Sequence, residues 1–392
     1  MHHQGDSQQV DLIARARALV PILAGRAAEA ERMRRIPEDV ERALQDAGMF
    51  ALTRPRRWGG HQADMRTYMG ALVELARGDG AVAWAVSQLN NSQWIVGQLA
   101  PELREEVFAG PTSKIASVLY GQTTVERTEG GYILDGRWQF CSGSYQADWV
   151  LAGAPIADEG AEPVFGFFVL PAREIEIEDD WQVSGFAATN SNSIVARKLF
   201  VPERRFARID ALATNAVSLA EVDTPIQRAA LMPFMLVTAG VIAVGMAQAM
   251  TDEFLAQLPG RQIPYMDYAT RGEAPVTHIL LGEAATKIQA ARLLFYDAAA
   301  AVERAAERDE PMPIPQRLAA RAQATYGIRL CYEAVESLLH ASGGRVIRLS
   351  NPLQRIDRDL RALSSHPVYT LPTAFELYGR AVLGMPPNTP FP

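Results

Sequence analysis

The sequence predicts an α+β chain in three parts: an N-terminal helical domain over residues 8–110, a central β-barrel or sandwich over 111–222, and a C-terminal four-helix bundle of long helices over 223–392. Two changes of texture predict it. Alanine- and arginine-rich stretches with apolar residues at helical spacing give way near residue 111 to short runs of β-branched and aromatic residues between glycines. Near residue 225 long, alanine-rich amphipathic stretches return.

The first part opens with residues 14–33, apolar at helical intervals. Pro37 suits a first helical turn, and the helix after it stops at Gly48. Arg57-Trp58-Gly59-Gly60 reads as a turn, and residues 65–76 and 81–99 as two further helices. In the second part, residues 131–136, 164–170 and 190–201 read as short strands between turns. In the third, residues 226–258, 275–308 and 314–342 read as three helices well beyond average length. The Pro-rich string at 311–315 is a turn between two of them. Long bundle helices commonly pack against copies of themselves.

Bulk properties narrow the function. With 392 residues the chain is long enough for two or three domains, and 48% hydrophobic with 21% charged residues is ordinary for a soluble globular protein. A formal net charge of −7 argues against a polyanion-binding surface, so nucleic acid is not expected as a partner. Two cysteines, Cys141 and Cys331, make no disulfide scaffold and suit a cytoplasmic setting. No cysteine or histidine cluster points to a metal, and His2 and His3 read as part of an unstructured start. The apolar run 231–249 is about long enough to span a bilayer, yet nothing basic flanks it. A buried bundle helix is the expectation, and no membrane.

Five strings in this order resemble the acyl-CoA dehydrogenase superfamily over residues 10–384. They are Ile36-Pro37-Glu38 with Ala47-Gly48-Met49; Arg57-Trp58-Gly59-Gly60; the run from Gly136 to Gly143; the run from Gly185 to Ser191; and Leu199-Phe200-Val201-Pro202-Glu203. The resemblance implies helices, β-domain and helical bundle, commonly as a homotetramer. Its dehydrogenase branch uses a glutamate base. In register with Arg358-Asp359 that position holds Pro367, beside His366; the alternative position on the first bundle helix holds Met235. Neither side chain can take a proton from carbon. The other branch, the two-component flavin hydroxylases, is similar at Trp138-x-x-x-Ser142-Gly143, at Ala341-Ser342-Gly343-Gly344 and at Asn351 to Leu360.

That resemblance implies an oxygenase component using O2 and reduced FMN or FAD, supplied by a separate NAD(P)H flavin reductase, by way of a C4a-hydroperoxyflavin that needs a dry cavity. It implies flavin contacts at Trp138, Phe140, Ser142, Gly143, Thr189 and Ser191, with Ser191 facing N5. It also implies flavin-phosphate contacts at Arg261, Gly343 and Gly344. His366 is the expected catalytic group, as a neutral base toward a substrate hydroxyl or as a partner of the reduced flavin. Phenol hydroxylases of this branch carry a histidine where this chain has Ser92, two residues before Trp94. The small-molecule substrate is therefore expected to be aromatic or polyketide-like rather than necessarily a simple phenol, with Ser92, Trp94, Tyr120, Tyr145, Phe234 and His366 as candidate contacts. Each of these has a plainer reading: hydroxyls bonded to backbone, aromatics in a core, glycines at a helix end. An acyl-CoA dehydrogenase-like oxidoreductase with a displaced base is the alternative function.

Overall fold

The computed structural model describes residues 2–110, 112–157, 163–209, 213, 224–308 and 310–392, with side chains from Asp11 onward. The sequence-based boundary at 222 lies outside the described residues. Five helices come first: α1 (His2–Met33), α2 (Glu38–Asp46), α3 (Met65–Gly78), α4 (Gly80–Val96) and α5 (Pro101–Phe108). Helix α1 starts well before residue 14, so the start is helical rather than unstructured. Asp64 and Asp79 cap α3 and α4 with side-chain oxygens that accept backbone N–H groups of the first turn. Helix α4 is the central helix, and all but one of its residues are buried. Most of its polar stretch is satisfied by the protein itself: Asn90 donates to the Met49 and Val86 carbonyls, and the Gln93 side-chain Oε1 accepts from Arg54 Nε at 2.7 Å, while the buried Asn91 Nδ2 has no partner among the described residues.

Eight strands follow: β1 (Ile115–Val118), β2 (Gln122–Thr128), β3 (Gly131–Trp138), β4 (Trp149–Ile156), β5 (Val164–Pro171), β6 (Glu176–Glu178), β7 (Ser193–Pro202) and β8 (Phe206–Arg208). They form two four-stranded sheets, in the orders β1-β4-β5-β8 and β2-β3-β7-β6. Among the described residues only β1 and β4 pair in parallel; the other ladders are antiparallel. Trp138 links the sheets. It is fully buried and donates from Nε1 to the Gly153 carbonyl of β4 at 2.7 Å.

The C-terminal helices are α6 (Leu231–Gly240), α7 (Ile242–Ala256), α8 (Pro275–Ala306), α9 (Ile314–Ala341), α10 (Pro352–Ser364) and α11 (Leu371–Val382). The run 226–258 is not one helix. A 3-10 turn over Pro225–Arg228 and extended Ala229 and Ala230 precede α6, and a 3-10-type bond from the Val244 N–H to the Val241 carbonyl breaks the register before α7. The break sits where Gly240 lets α6 close on Phe295 and Tyr369. Helices α8 and α9 pair along their length, α7 packs on α3 and α9, and α10 packs on α7, α9 and α4. Most of the apolar run 231–256 is buried inside the molecule. This is the expected order of helical domain, β-domain and helical bundle.

Candidate functional site

The site forms where α4, two segments of the β-domain and the loop after α10 meet. The segments are residues 139–148, after β3, and 179–192, before β7. Phe140, Gly143, Phe186 and Asn190 all take left-handed backbone conformations, with φ of 66°, 76°, 57° and 42°. Three of the four are not glycine, so the surroundings must hold them there. They do. Gly143 N–H donates to the Thr189 carbonyl at 2.9 Å, Ser144 Oγ to the Asn190 carbonyl at 2.8 Å, and Asn190 Nδ2 to Gln146 Oε1 at 2.7 Å. At Gly143 a Cβ would lie 2.9 Å from Leu89, so glycine lets this segment close onto α4.

A chain of hydrogen bonds runs through this double turn. Trp84 Nε1 of α4 donates to Ser142 Oγ at 3.0 Å; Ser142 Oγ lies 2.8 Å from Ser191 Oγ, and Ser191 Oγ lies 2.7 Å from Thr189 Oγ1. Thr189 Oγ1 donates to the Phe186 carbonyl at 2.8 Å. Each hydroxyl has one proton, so the donor order runs Trp84, Ser142, Ser191, Thr189, Phe186. The Trp84 ring also stacks on Phe186 at 5.6 Å and lies 5.6 Å from the His366 ring. Ser142, Thr189, Ser191 and His366, expected from sequence to act together, are thus gathered around Trp84. In the sequence Trp84 is one of several aromatics that could line a pocket or pack a core, and nothing in its helical spacing marks it out.

His366 is half-buried and opens a 3-10 turn. Burial pushes its imidazole down to about 4, so the ring is neutral at pH 7. Its Nδ1 accepts the Val368 N–H at 3.4 Å, which assigns the ring proton to Nε2. In that tautomer Nε2 is a donor, and acting as a base there would require the proton to move to Nδ1. Of the two glutamate positions in the dehydrogenase branch, Pro367 is exposed and Met235 half-buried on α6.

The other sequence candidates fall elsewhere. Trp138 points between the sheets, as described, rather than into the hydroxyl chain. Phe140 is 67% exposed beside Trp181, at 5.7 Å, and offers a free ring face next to the chain. Ser92, two turns along α4 from Trp84, donates to the Gln88 carbonyl and bonds Ser117 Oγ of β1 at 2.9 Å. Trp94 and Phe234 stack on each other at 4.1 Å in the core, with Trp94 Nε1 on the Ile226 carbonyl. Tyr120 and Tyr145 are exposed, Tyr120 against Phe165.

Arg261, Gly343 and Gly344 belong to a second cluster, on the C-terminal helices. The Arg261 carbonyl accepts from the Arg271 N–H at 2.6 Å, and a Cβ on Gly343 would lie 3.7 Å from Arg271 Nη2. Burial and the Arg261 charge together hold the Arg271 guanidinium below its ordinary pKa. No carboxylate pairs with either arginine among the described residues; Arg261 Nη2 meets only Gln257 Oε1. Sequence reading missed Arg271, which comes to Arg261 through a loop with no regular spacing.

These donor sets fit a flavin. Three hydroxyls, a neutral imidazole and an exposed ring suit an isoalloxazine, and two neighbouring guanidiniums without carboxylates suit a phosphate. Comparison with known proteins agrees. Residues 8–107 match the acyl-CoA dehydrogenase N-terminal domain, and residues 237–370 match the acyl-CoA dehydrogenase C-terminal domain. The oxygenase subunit of the flavin-dependent monooxygenase HsaA of Rhodococcus jostii (strain RHA1) is 29% identical, over 94% of this chain and 97% of its own. The oxygenase component of p-hydroxyphenylacetate 3-hydroxylase of Acinetobacter baumannii is 24% identical, over 98% and 91%. XiaF from Streptomyces sp., solved with FADH2 and glycerol, covers 100% of this chain and 99% of its own at 29% identity and a TM-score of 0.93. The chain belongs to the acyl-CoA dehydrogenase family, on its branch of flavin-dependent monooxygenase oxygenase components.

Proposed function

We propose that this protein is the oxygenase of a two-component system. It takes reduced FMN or FAD from a separate NAD(P)H flavin reductase and uses O2 to hydroxylate an aromatic or polyketide-like small molecule. The observation that carries the reading is the hydrogen-bond chain from Trp84 through Ser142 and Ser191 to Thr189, closed off by the neutral His366 instead of a carboxylate base. The relatives' names support it: one is a flavin-dependent monooxygenase oxygenase subunit, one a hydroxylase oxygenase component, and XiaF was solved with FADH2. The dehydrogenase-like alternative lacks a glutamate at either base position.

The bound reduced flavin would supply the electrons and activate the oxygen. The chain's own residues divide the remaining work. Ser191 holds its proton toward Thr189; turning that proton to the ring leaves Thr189 still satisfied by the Phe186 carbonyl. His366 Nε2–H donates to an oxygen at the reacting centre or to a substrate hydroxyl. Phe140 would offer its ring to a bound flavin, and Arg261 and Arg271 would hold the phosphate of FMN or FAD. The α4 face made by Trp84, Gln88 and Ser92 lines the substrate side with groups that carry no charge. We extend the reading to a cytoplasmic homotetramer, which the exposed apolar residues of α8 and α11 support.

The test is flavin preference. Titrations under anaerobic conditions are expected to show reduced flavin binding at least about tenfold tighter than oxidised flavin, equivalent to roughly 1.4 kcal/mol. Purified protein is then colourless. Tightly held oxidised FAD, bleached by an acyl-CoA, would favour the dehydrogenase instead.

A further inference from the structure

Helix α9 carries a charge inside the bundle that the fold does not answer. Arg321 is only 8% exposed. Its Nε is buried without a hydrogen-bond partner, and among the described residues no carboxylate, carbonyl or ring meets the rest of its guanidinium. Burial holds the group below its ordinary pKa, with no acid acting against that. A buried cation left alone in this way is costly, because the water it gave up is not replaced. Other buried arginines of this region are treated differently. Arg228 donates to the Ala306 carbonyl at 3.3 Å. Arg317, one turn before Arg321, donates to the Met312 and Ala213 carbonyls at 2.7 and 3.1 Å.

Thr325 repeats the anomaly one turn further on. Residues four apart share a helix face, so its side chain neighbours that of Arg321. Thr238, Thr251 and Thr286 each donate to the carbonyl four residues back, at 2.8, 2.9 and 2.8 Å. The Thr325 hydroxyl makes no such bond. It belongs to a side chain 2% exposed, and it has no partner among the described residues. Around the two, Leu318, Ala322 and Ile328 are buried and apolar. Arg321 stands 20 residues before Ala341, the end of α9, which is about 30 Å along the helix axis. The pair is therefore separate from the cluster of Arg261 and Arg271 beside Gly343.

We propose that Arg321 and Thr325 form a further binding site, which takes the carboxylate of a small organic molecule. Three features select that chemistry. The terminal nitrogens of a guanidinium make two parallel bonds to a carboxylate, and the threonine hydroxyl adds a third donor. One cation matches one negative charge, whereas a phosphate group carries between one and two. The apolar neighbours suit a ligand with a hydrocarbon body rather than a bare ion. The site needs neither flavin nor turnover, so it stands or falls separately from the monooxygenase reading.

The experiment measures the melting temperature of the full-length, flavin-free protein in potassium benzoate, with potassium chloride holding the ionic strength constant. Inorganic phosphate is run as a parallel series. Benzoate is expected to raise the wild-type value saturably, by about 3 °C at about a hundred times its Kd. Arg321→Met replaces the lone cation with an apolar chain. It is expected to melt above the wild type in chloride and to gain nothing from benzoate. Thr325→Val leaves the charge in place and drops the hydroxyl, and is expected to raise the benzoate Kd about tenfold. Arg271→Ala, which removes a charge from the other cluster, is expected to keep the wild-type response. No saturable rise in the wild type, or the same rise in Arg321→Met and Thr325→Val, would overturn the site. So would an Arg321→Met protein less stable than the wild type in chloride, because the fold would then already satisfy the arginine. A response to phosphate without one to benzoate would overturn the carboxylate assignment.

Discussion

His366 is neutral because it is half-buried without a counter-charge, and this sets what it can contribute. With its pKa at about 4, it does not titrate near the ordinary value of 6.5. Turnover measured from pH 5.5 to 8 is therefore expected to lack an inflection that disappears in His366→Ala. That variant is expected to lose product formation by on the order of 10²-fold while flavin oxidation continues. Unchanged product formation would remove His366 from the reaction. Ser191→Ala breaks the middle of the hydroxyl chain and leaves Ser142 without its acceptor. It is expected to divert reduced flavin to hydrogen peroxide and to lower stability by about 1–3 kcal/mol, read by peroxide assay and denaturant unfolding. Arg271→Ala is expected to weaken reduced-flavin binding most at low salt, since it removes one of two half-buried charges facing a phosphate. Equal affinity in titrations at low ionic strength would separate Arg271 from the cofactor. At this scale the sequence was informative only where a motif carried the residue. Ser142, Thr189 and Ser191 stood in recognisable strings. Trp84 carried no motif, because its role depends on what the β-domain and the loop after α10 bring to it. Arg271 was hidden by an irregular loop.

Among the elements, helices were legible wherever one face was apolar at a steady period, as in α3, α8 and α9, whose spans depart little from the expected ones. The run 226–258 misled because it is apolar on every side, so periodicity could not reveal the 3-10 turn or the interruption before α7. Strands β3, β5 and β7 were legible from turn residues, but the other strands and their assignment to two sheets were not, since β1 pairs with β4 and β3 with β7 across long connections. The contact between α10 and the segment before β7 is a close approach of backbones at Gly185. Gly185→Ala forces a Cβ against the Arg358 carbonyl and is expected to cost about 1–3 kcal/mol by overpacking. It should also raise the fraction of flavin lost as peroxide, because the same backbone positions Phe186. A melting temperature equal to the wild type's would show that this contact is dispensable.

Over the whole molecule, the two clusters come from different parts of the chain: the hydroxyls from the β-domain with α4, and the arginines from the C-terminal helices. Ile279 and Leu293 on α8, with Val382 and Leu383 at the end of α11, expose between 62% and 75% of their surface. Such apolar faces on bundle helices suit burial against further copies. Sedimentation is expected to give about four times the chain mass of 42.9 kDa, and dilution to monomers is expected to weaken flavin binding. A monomer that binds reduced flavin undiminished would contradict that assembly. On the proposed reading this fold spends reduced flavin on oxygen insertion. The direct measurement is turnover under ¹⁸O2 with reduced flavin, a flavin reductase and a panel of aromatic and polyketide-like compounds, followed by mass spectrometry of the products. One ¹⁸O atom is expected in the product, dependent on protein and on reduced flavin. Products dehydrogenated without label, or label recovered only as hydrogen peroxide across the panel, would contradict it.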